Sequence, residues 1–153
     1  MARTSFSRSS RTISRTKIKV SAADTAASIL SGIRFNRISD KSVKSALLKE
    51  YIALRKVAKD AMAVKEEIRN KFQDDWRDEI KAVRAFREKG NPVLGHLDYL
   101  EAERDANKAI VDAYSQEVDI DLSPVRIEAI EEFSEDITLE EIAFLIELGI
   151  LEE

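Results

Sequence analysis

The chain has 153 residues, of which 44% are hydrophobic and 35% are charged, and its formal net charge is −4. It contains no cysteine, which excludes disulfides, thiolate metal sites and a cysteine nucleophile. No apolar run approaches the roughly 20 residues that a membrane-spanning helix needs, so we expect no membrane partner.

Residues 1–16 form a basic arm of mostly Arg, Ser and Thr with no acidic residue. Its few apolar side chains cannot offset the entropy lost on ordering, so we expect the arm to be disordered unless it is bound. Its charge suits an acidic protein surface or, without sequence specificity, the phosphates of a nucleic acid. The arginines that we assign to partner binding are Arg3, Arg8, Arg11 and Arg15.

A short helix is predicted over residues 22–31. Ser21 is a suitable N-cap, and Asp24 three residues later completes a weak capping box. Gly32 would end this helix in the left-handed conformation.

A long helix is predicted from Ser39, its expected N-cap, to Phe72, because this stretch contains neither glycine nor proline. Its inner stripe alternates spacings of four and three residues, as in a coiled-coil seam. The stripe consists of Leu47, Tyr51, Leu54, Ala58, Ala61, Lys65, Ile68 and Phe72.

Two further helices are expected. Asp74 or Asp75 can cap one that runs through Lys89, and Gly90-Asn91-Pro92 then stops the chain. The next helix runs from about Leu94 to Ser115 and, after a short connection, should fold back antiparallel to the long helix. Its expected inner residues are Val93, Leu97, Leu100, Asn107, Ile110 and Tyr114. Ion pairs across this hairpin are expected between Lys49, Lys56, Lys59 and Arg69 and the acids Asp98, Glu101, Glu103 and Asp112.

Residues 117–122, EVDIDL, strictly alternate acidic and apolar side chains, which is typical of a strand. Residues 17–20, KIKV, alternate basic and apolar side chains. We therefore predict a two-stranded ribbon with Ile18 and Ile120 on its buried face and lysines opposite aspartates on the other face.

The last helix is well delimited by its sequence. Thr138 with Glu141 forms a capping box, and Gly149 is a suitable C-terminal stop. Its apolar stripe includes Ile142, Leu145 and Ile146, which either bury in the core or bind a partner.

For residues 123–134 the sequence leaves two alternatives open. Ser123-Pro124 opens a short helix through Phe133, or residues 125–127 prolong a strand.

No catalytic motif is present, since four scattered glycines form neither a P-loop nor a dinucleotide-binding turn. His96, the one histidine, lies two residues before Asp98, and helical residues two apart point away from each other. We interpret His96 as a surface residue at a helix start. The acidic clusters near residues 74–79 and 131–136 lack the turn of a calcium loop. We therefore expect a non-enzyme without catalytic residues, cofactor or metal.

The order of these elements resembles a family of small, uncharacterised tailed-phage proteins. The likeness rests on KIKVSAADTAASIL, on DKSVKSALLKEY, on EVDIDL and on ITLEEIAFLIELGI, and covers roughly residues 17–148. It implies a phage genome as the source and a place in the phage particle or in its assembly.

We therefore expect a mainly α protein in which a long antiparallel helical hairpin carries a small two-stranded ribbon and a short C-terminal helix. Residues 17–153 should form one helical domain behind the arm. The functional hypothesis is a virion or assembly protein, in the virion or host cytoplasm, that docks onto other phage structural proteins or onto itself. Two alternatives are a regulatory or anti-defence protein that binds a host factor, and a capsid protein whose arm contacts DNA.

Overall fold

The computed structural model describes residues 14–90, 97–129 and 135–153. Helix accounts for 73% of the described residues, which confirms the predicted mainly α class with its small two-stranded ribbon and short C-terminal helix. The chain divides into two compact units: unit 1 is Met1–Lys59 with Glu117–Glu153, and unit 2 is Asp60–Gln116. The single domain expected over residues 17–153 stays a prediction.

In chain order, the elements of the described residues are β1 (Ser14–Lys19), α1 (Val20–Ser31), a short 3-10 helix (Phe35–Arg37), α2 (Lys41–Asp75), α3 (Arg77–Glu88), α4 (Leu97–Ser115), β2 (Glu117–Leu122), β3 (Val125–Arg126), α5 (Leu139–Glu147) and β4 (Leu151–Glu152). Helix α2 begins in unit 1 and ends in unit 2.

The predicted ribbon is confirmed. Strands β1 and β2 pair antiparallel, and Ile18 lies opposite Val118. Ile18 and Ile120 are buried, whereas the facing pair Lys17 and Asp119 is exposed. Strand β1 begins at Ser14, so residues 14–16, which the sequence assigned to the arm, belong to the ribbon.

Helix α1 ends at Ser31 as predicted, but it begins earlier than predicted and Gly32 does not adopt the expected conformation. It begins at Val20, directly after β1, and no side chain caps its first turn, so Ser21 is a helical residue and not the cap. Gly32 has φ −79° and is right-handed. The physical reason is that the chain continues past Gly32 in tight turns, with the N–H of Gly32 bonded to Ile29 O and that of Ile33 to Leu30 O.

The inner stripe of α2 in unit 1 packs as expected, since Leu47 and Leu54 are fully buried. The N-cap is Asp40 and not Ser39. Asp40 Oδ1 accepts hydrogen bonds from the N–H of Ser42, at 2.8 Å, and from that of Val43, at 3.3 Å. These bonds satisfy two of the otherwise unpaired donors of the first turn.

The break between α2 and α3 is a single residue, Trp76, with φ −124° and ψ 29°. Its N–H still donates to Phe72 O, and its carbonyl accepts from the N–H of Ile80. No side chain caps α3, so neither expected aspartate does. Asp74 instead pairs with Arg77 at 3.1 Å.

Within unit 2, α4 folds back on the end of α2 as predicted. The ring of Tyr99 lies 5.5 Å from that of Phe72, and Lys65 Nζ lies 5.9 Å from the centre of the Tyr114 ring. The predicted inner face is wrong at Leu97, which is 70% exposed, and at Asn107, which is also exposed, whereas Tyr99 is buried. Tyr99 fits the inner position because its ring packs between aromatic side chains while its hydroxyl reaches a carboxylate.

Neither alternative for residues 123–134 holds as a whole, because the two-residue strand β3 is followed by a 3-10 turn over residues 127–129. Val125 and Arg126 are extended and pair parallel with β4, and the Val125 N–H donates to Ile150 O. A helix from Pro124 is therefore excluded at its start, and residues 130–134 lie outside the described part of the chain.

The expected boundaries of α5 are confirmed. Thr138 and Glu141 form a reciprocal capping box, with bonds of 3.2 and 2.9 Å. Gly149 has φ +80°, and the N–H of Ile150 donates to Leu145 O, as in a Schellman motif. Leu145 and Ile150 are both fully buried in the unit 1 core.

Candidate functional site

The arm arginines Arg3, Arg8 and Arg11 lie outside the described residues. Arg15 lies in β1, where its Nε is 3.4 Å from Oδ1 of Asp121 on the paired strand. Both side chains are largely exposed. Arg15 therefore belongs to the outer face of the ribbon.

The three apolar residues assigned to partner binding on α5 face the interior of unit 1. Leu145 is fully buried, and Ile142 and Ile146 are half-buried against the same core. Leu145 therefore presents no surface to a partner. A large apolar residue of α5 that is exposed is Leu139, in the first turn, at 85%.

Asp136 belongs to one of the acidic clusters, and its role in the structure is to join two segments of unit 1. Its carboxylate, only 4% exposed, lies 3.5 Å from Arg34 Nε and accepts a hydrogen bond from the Arg34 backbone N–H. The ion pair and hydrogen bond with Arg34 explain why this carboxylate is buried, and they do not require a bound metal ion. Within the described ranges, no group of three or more His, Asp or Glu side chains is placed to hold a metal ion.

A cleft of about 370 Å³ opens in unit 1 between the start of α2 and the end of β2. The carboxylate of Glu50, on a residue that is 3% exposed, accepts a hydrogen bond from the N–H of Ser123 at 3.2 Å. Glu50 thus joins α2 to the turn after β2. The lining residues are Ser42, Ser45, Ala46, Lys49, Glu50, Asp121, Leu122 and Ser123.

A second cleft, of about 420 Å³ in unit 2, borders a polar cluster between α3 and α4. Arg87 binds both carboxylate oxygens of Glu103, at 2.9 and 3.2 Å, and Tyr99 donates its hydroxyl to the same carboxylate at 3.1 Å. Glu103 was expected to face the long helix, and it pairs with α3 because Arg87 presents a planar, bidentate donor.

The same contacts shift two pKa values. The hydrogen bonds from Arg87 lower the pKa of Glu103, and the Tyr99 hydroxyl adds to this effect. Burial raises the pKa of Tyr99, and the neighbouring charge of Glu103 raises it further. The cluster thus holds a charged carboxylate beside a neutral phenol, which is a stable structural arrangement.

The outer face of α2 in unit 1 is cationic and partly apolar. Leu48 is 41% exposed and Ile52 is 57% exposed. The sole acidic residue between positions 41 and 59 is Glu50, which is buried on the opposite side. We define the α2 outer face as Lys41, Leu48, Lys49, Ile52, Arg55, Lys56 and Lys59, all exposed.

The cations of the α2 outer face make no ion pair with the described residues of unit 1. At 100° per residue, its seven positions span about 120° of the helix circumference and about 27 Å of its length. The pairs expected from Lys49, Lys56 and Lys59 to α4 would join unit 1 to unit 2 and stay predictions.

Among the described helices, none is long and apolar enough to cross a membrane. His96 lies in the segment that the structure does not describe. No family model, curated protein or solved structure matches this chain.

Sequence reasoning missed the α2 outer face as a surface, because it assigned Lys49, Lys56 and Lys59 to ion pairs with α4 and did not consider Leu48 and Ile52. The signal was present, since six basic residues and one acidic residue occur between positions 41 and 59. Tyr99 and Arg87 were also missed. The spacing of four residues between Tyr99 and Glu103 places them on one helix face and was the available indication.

Proposed function

We propose that this chain is a non-enzymatic docking protein whose basic arm orders on the acidic surface of a protein partner. The resemblance to tailed-phage proteins extends the proposal. The partner is then another structural protein of a phage particle or of its assembly, or a second copy of the chain, in the virion or in the host cytoplasm.

The charge balance of the ribbon carries this proposal. The acids of β2 lie opposite the cations of β1 in register, namely Glu117, Asp119 and Asp121 opposite Lys19, Lys17 and Arg15. The outer face of the ribbon is therefore neutral in sum. The described register reaches the pair of Ser14 and Leu122, and the arginines of residues 1–13 precede it in the sequence.

A protein partner is favoured over nucleic acid by the charge of the rest of the chain. The total is −4, and residues 1–13 contribute three arginines, so the remainder carries −4 − 3 = −7. A net negative body repels a polyanion, whereas an acidic patch on a protein attracts the arm locally.

Two carboxylates that border the clefts support a structural role. Glu50 binds the backbone after β2, and Glu103 binds a guanidinium and a phenol. Each carboxylate holds two elements of its unit together.

The first experiment is quantitative mass spectrometry of purified phage particles. We expect the chain at a fixed copy number per particle. Synthesis early in infection together with absence from particles would contradict the structural role and favour the regulatory alternative.

The second experiment tests the arm itself. We expect the triple variant R3Q/R8Q/R11Q to lose at least about tenfold in incorporation or in affinity for a co-purifying particle protein. The matched control K81Q/R104Q/K108Q removes the same charge from exposed positions of α3 and α4 and should retain both. Equal loss in the two variants would contradict the proposal. Salt-sensitive binding to random duplex DNA that only the arm variant loses, with particle protein still bound, would favour the DNA-contacting alternative.

A further inference from the structure

The α2 outer face combines exposed apolar side chains with a row of cations. Leu48 and Ile52 are large, exposed apolar side chains one helical turn apart. Five exposed cations surround them along the same face, and no acid interrupts the row. Because the cations make no ion pair with the described residues of unit 1, the packing of those residues explains neither feature.

The spacing of this face matches one side of a helix pair. Ser45, Leu48, Ile52, Arg55 and Lys59 alternate spacings of three and four residues, which is a second seam opposite the buried one. In that register Lys49 and Lys56 lie beside the seam, at the heptad positions whose charges determine partner specificity in coiled coils. A neighbouring helix would thus meet an apolar centre with a cationic border.

Three kinds of partner can neutralise such a face, and they use it differently. Phosphates of a nucleic acid would use the cations and leave Leu48 and Ile52 exposed. An anionic lipid surface requires a broad apolar face, yet the apolar side of α2, including Leu47 and Leu54, is turned into the core. A helix with apolar residues in its seam and Asp or Glu beside them would use the apolar and the charged residues together.

We propose that the α2 outer face binds an acidic amphipathic helix of a partner protein, with Leu48 and Ile52 in the contact and Lys49 and Lys56 paired with its flanking acids. The site is distinct from the basic arm, and the proposal stands whether or not the arm docks. It therefore gives the chain a second, independent docking surface.

The probe is a synthetic helix about three heptads long, with leucine at its seam positions and glutamate beside them. We expect the full chain to bind it, with NMR shift changes centred on Leu48 and Ile52. The variants I52S and K49E/K56E should each weaken binding by about tenfold or more. The control variants L139S and R104E/K108E remove an exposed leucine and reverse two exposed cations elsewhere, and should bind as the parent chain does.

Further measurements separate this site from its alternatives. The arm variant R3Q/R8Q/R11Q should bind the acidic helix unchanged, so failure of the arm proposal and failure of this one are distinguishable. The same peptide with lysine in place of glutamate should not bind. Circular dichroism of each variant confirms that the fold is retained.

The proposal is overturned if the acidic helix does not bind or binds I52S and K49E/K56E as it binds the parent. It is also overturned if random duplex DNA or phosphatidylserine vesicles bind through these residues while the acidic helix does not. Concentration-dependent self-association that I52S abolishes, without binding of the peptide, would assign the face to a second copy instead.

Discussion

Glu103 is the residue on which the polar contacts of unit 2 converge. It accepts two bonds from Arg87 on α3 and one from Tyr99 on its own helix. A charged acceptor with three donors is strongly preferred over its protonated form. The low pKa of Glu103 is therefore a consequence of how α3 and α4 pack together.

We expect the stability of unit 2 to depend on the ionisation of Glu103. Because the pKa is lowered on folding, its contribution is fully present above the ordinary value of 4.5 and is lost as the pH falls through the folded-state value. The variant E103Q should be less stable than the parent near neutral pH, and the difference should shrink in acid. Urea unfolding followed by Trp76 fluorescence measures it, because Trp76 lies 5.9 Å from Tyr99.

The matched control for this variant is E101Q, which changes an exposed glutamate of the same helix. It should leave the pH profile of stability unchanged. If E103Q lowered the free energy of unfolding by the same amount at every pH, the role given to the charge would be contradicted.

At the scale of elements, α2 depends on a defined start. Asp40 accepts bonds from two N–H groups of the first turn, and Val43 and Leu47 then bury behind it. The cap thus fixes which residue begins the helix and, with it, the face that enters the core.

We expect D40A to lower the free energy of unfolding of unit 1 by about 1 kcal/mol, because two N–H groups lose their acceptor. S39A, one residue earlier, should change stability by no more than a few tenths of that amount, since Ser39 makes no side-chain bond in the described residues. Amide exchange of the first turn of α2 measures both effects. Comparable losses in the two variants would assign the cap to the pair and not to Asp40.

Elements with a strong local pattern were predictable from the sequence. The alternation in EVDIDL and KIKV identified the ribbon, and Thr138 with Glu141 identified the start of α5. The sequence did not predict which face of α4 is buried, because Leu97 and Tyr99 are both apolar enough for an inner position. Only the available space beside Phe72 decides between them.

The pairing of β3 with β4 lay beyond sequence reasoning for a different reason. Strands of two residues contain no periodicity, and the two segments are far apart in the chain. The same difference applies to the two candidate docking surfaces. The composition of the sequence identifies the basic arm. The exposure of Leu48 and Ile52 follows only from the structure, because it depends on which face of α2 packs into the core.

At the scale of the whole molecule, unit 1 is assembled from both ends of the sequence. Strand β1 pairs with β2, and Arg15 bonds Asp121 across 106 positions. Unit 2 is the stretch between them. The buried side chains of α1 and of the start of α2 therefore depend on residues near the C-terminus.

We expect a chain that ends at Gln116 to lose slow amide exchange throughout β1 and α1, because Ile120, Leu122 and Leu145 no longer complete their core. The amides of α4 should remain protected, since their contacts to α2 and α3 are retained. Hydrogen exchange with mass spectrometry measures both regions.

A chain that lacks residues 2–13 but keeps the C-terminus is the control, and it should protect β1 as the full chain does. Protection of β1 and α1 in the chain that ends at Gln116 would contradict the dependence on β2 and α5.

The discontinuity of unit 1 also sets an order of events on the ribosome. Translation proceeds at roughly 5–20 residues per second, so β1 precedes its partner strand by about 5–20 s. The helices α2, α3 and α4 are synthesised within that interval, while Ala23, Ala26 and Leu30 still lack the part of their core that β2 and α5 supply. Unit 2 of the nascent chain can thus fold before unit 1 is complete. Helix α1 is the segment that a holding chaperone would bind.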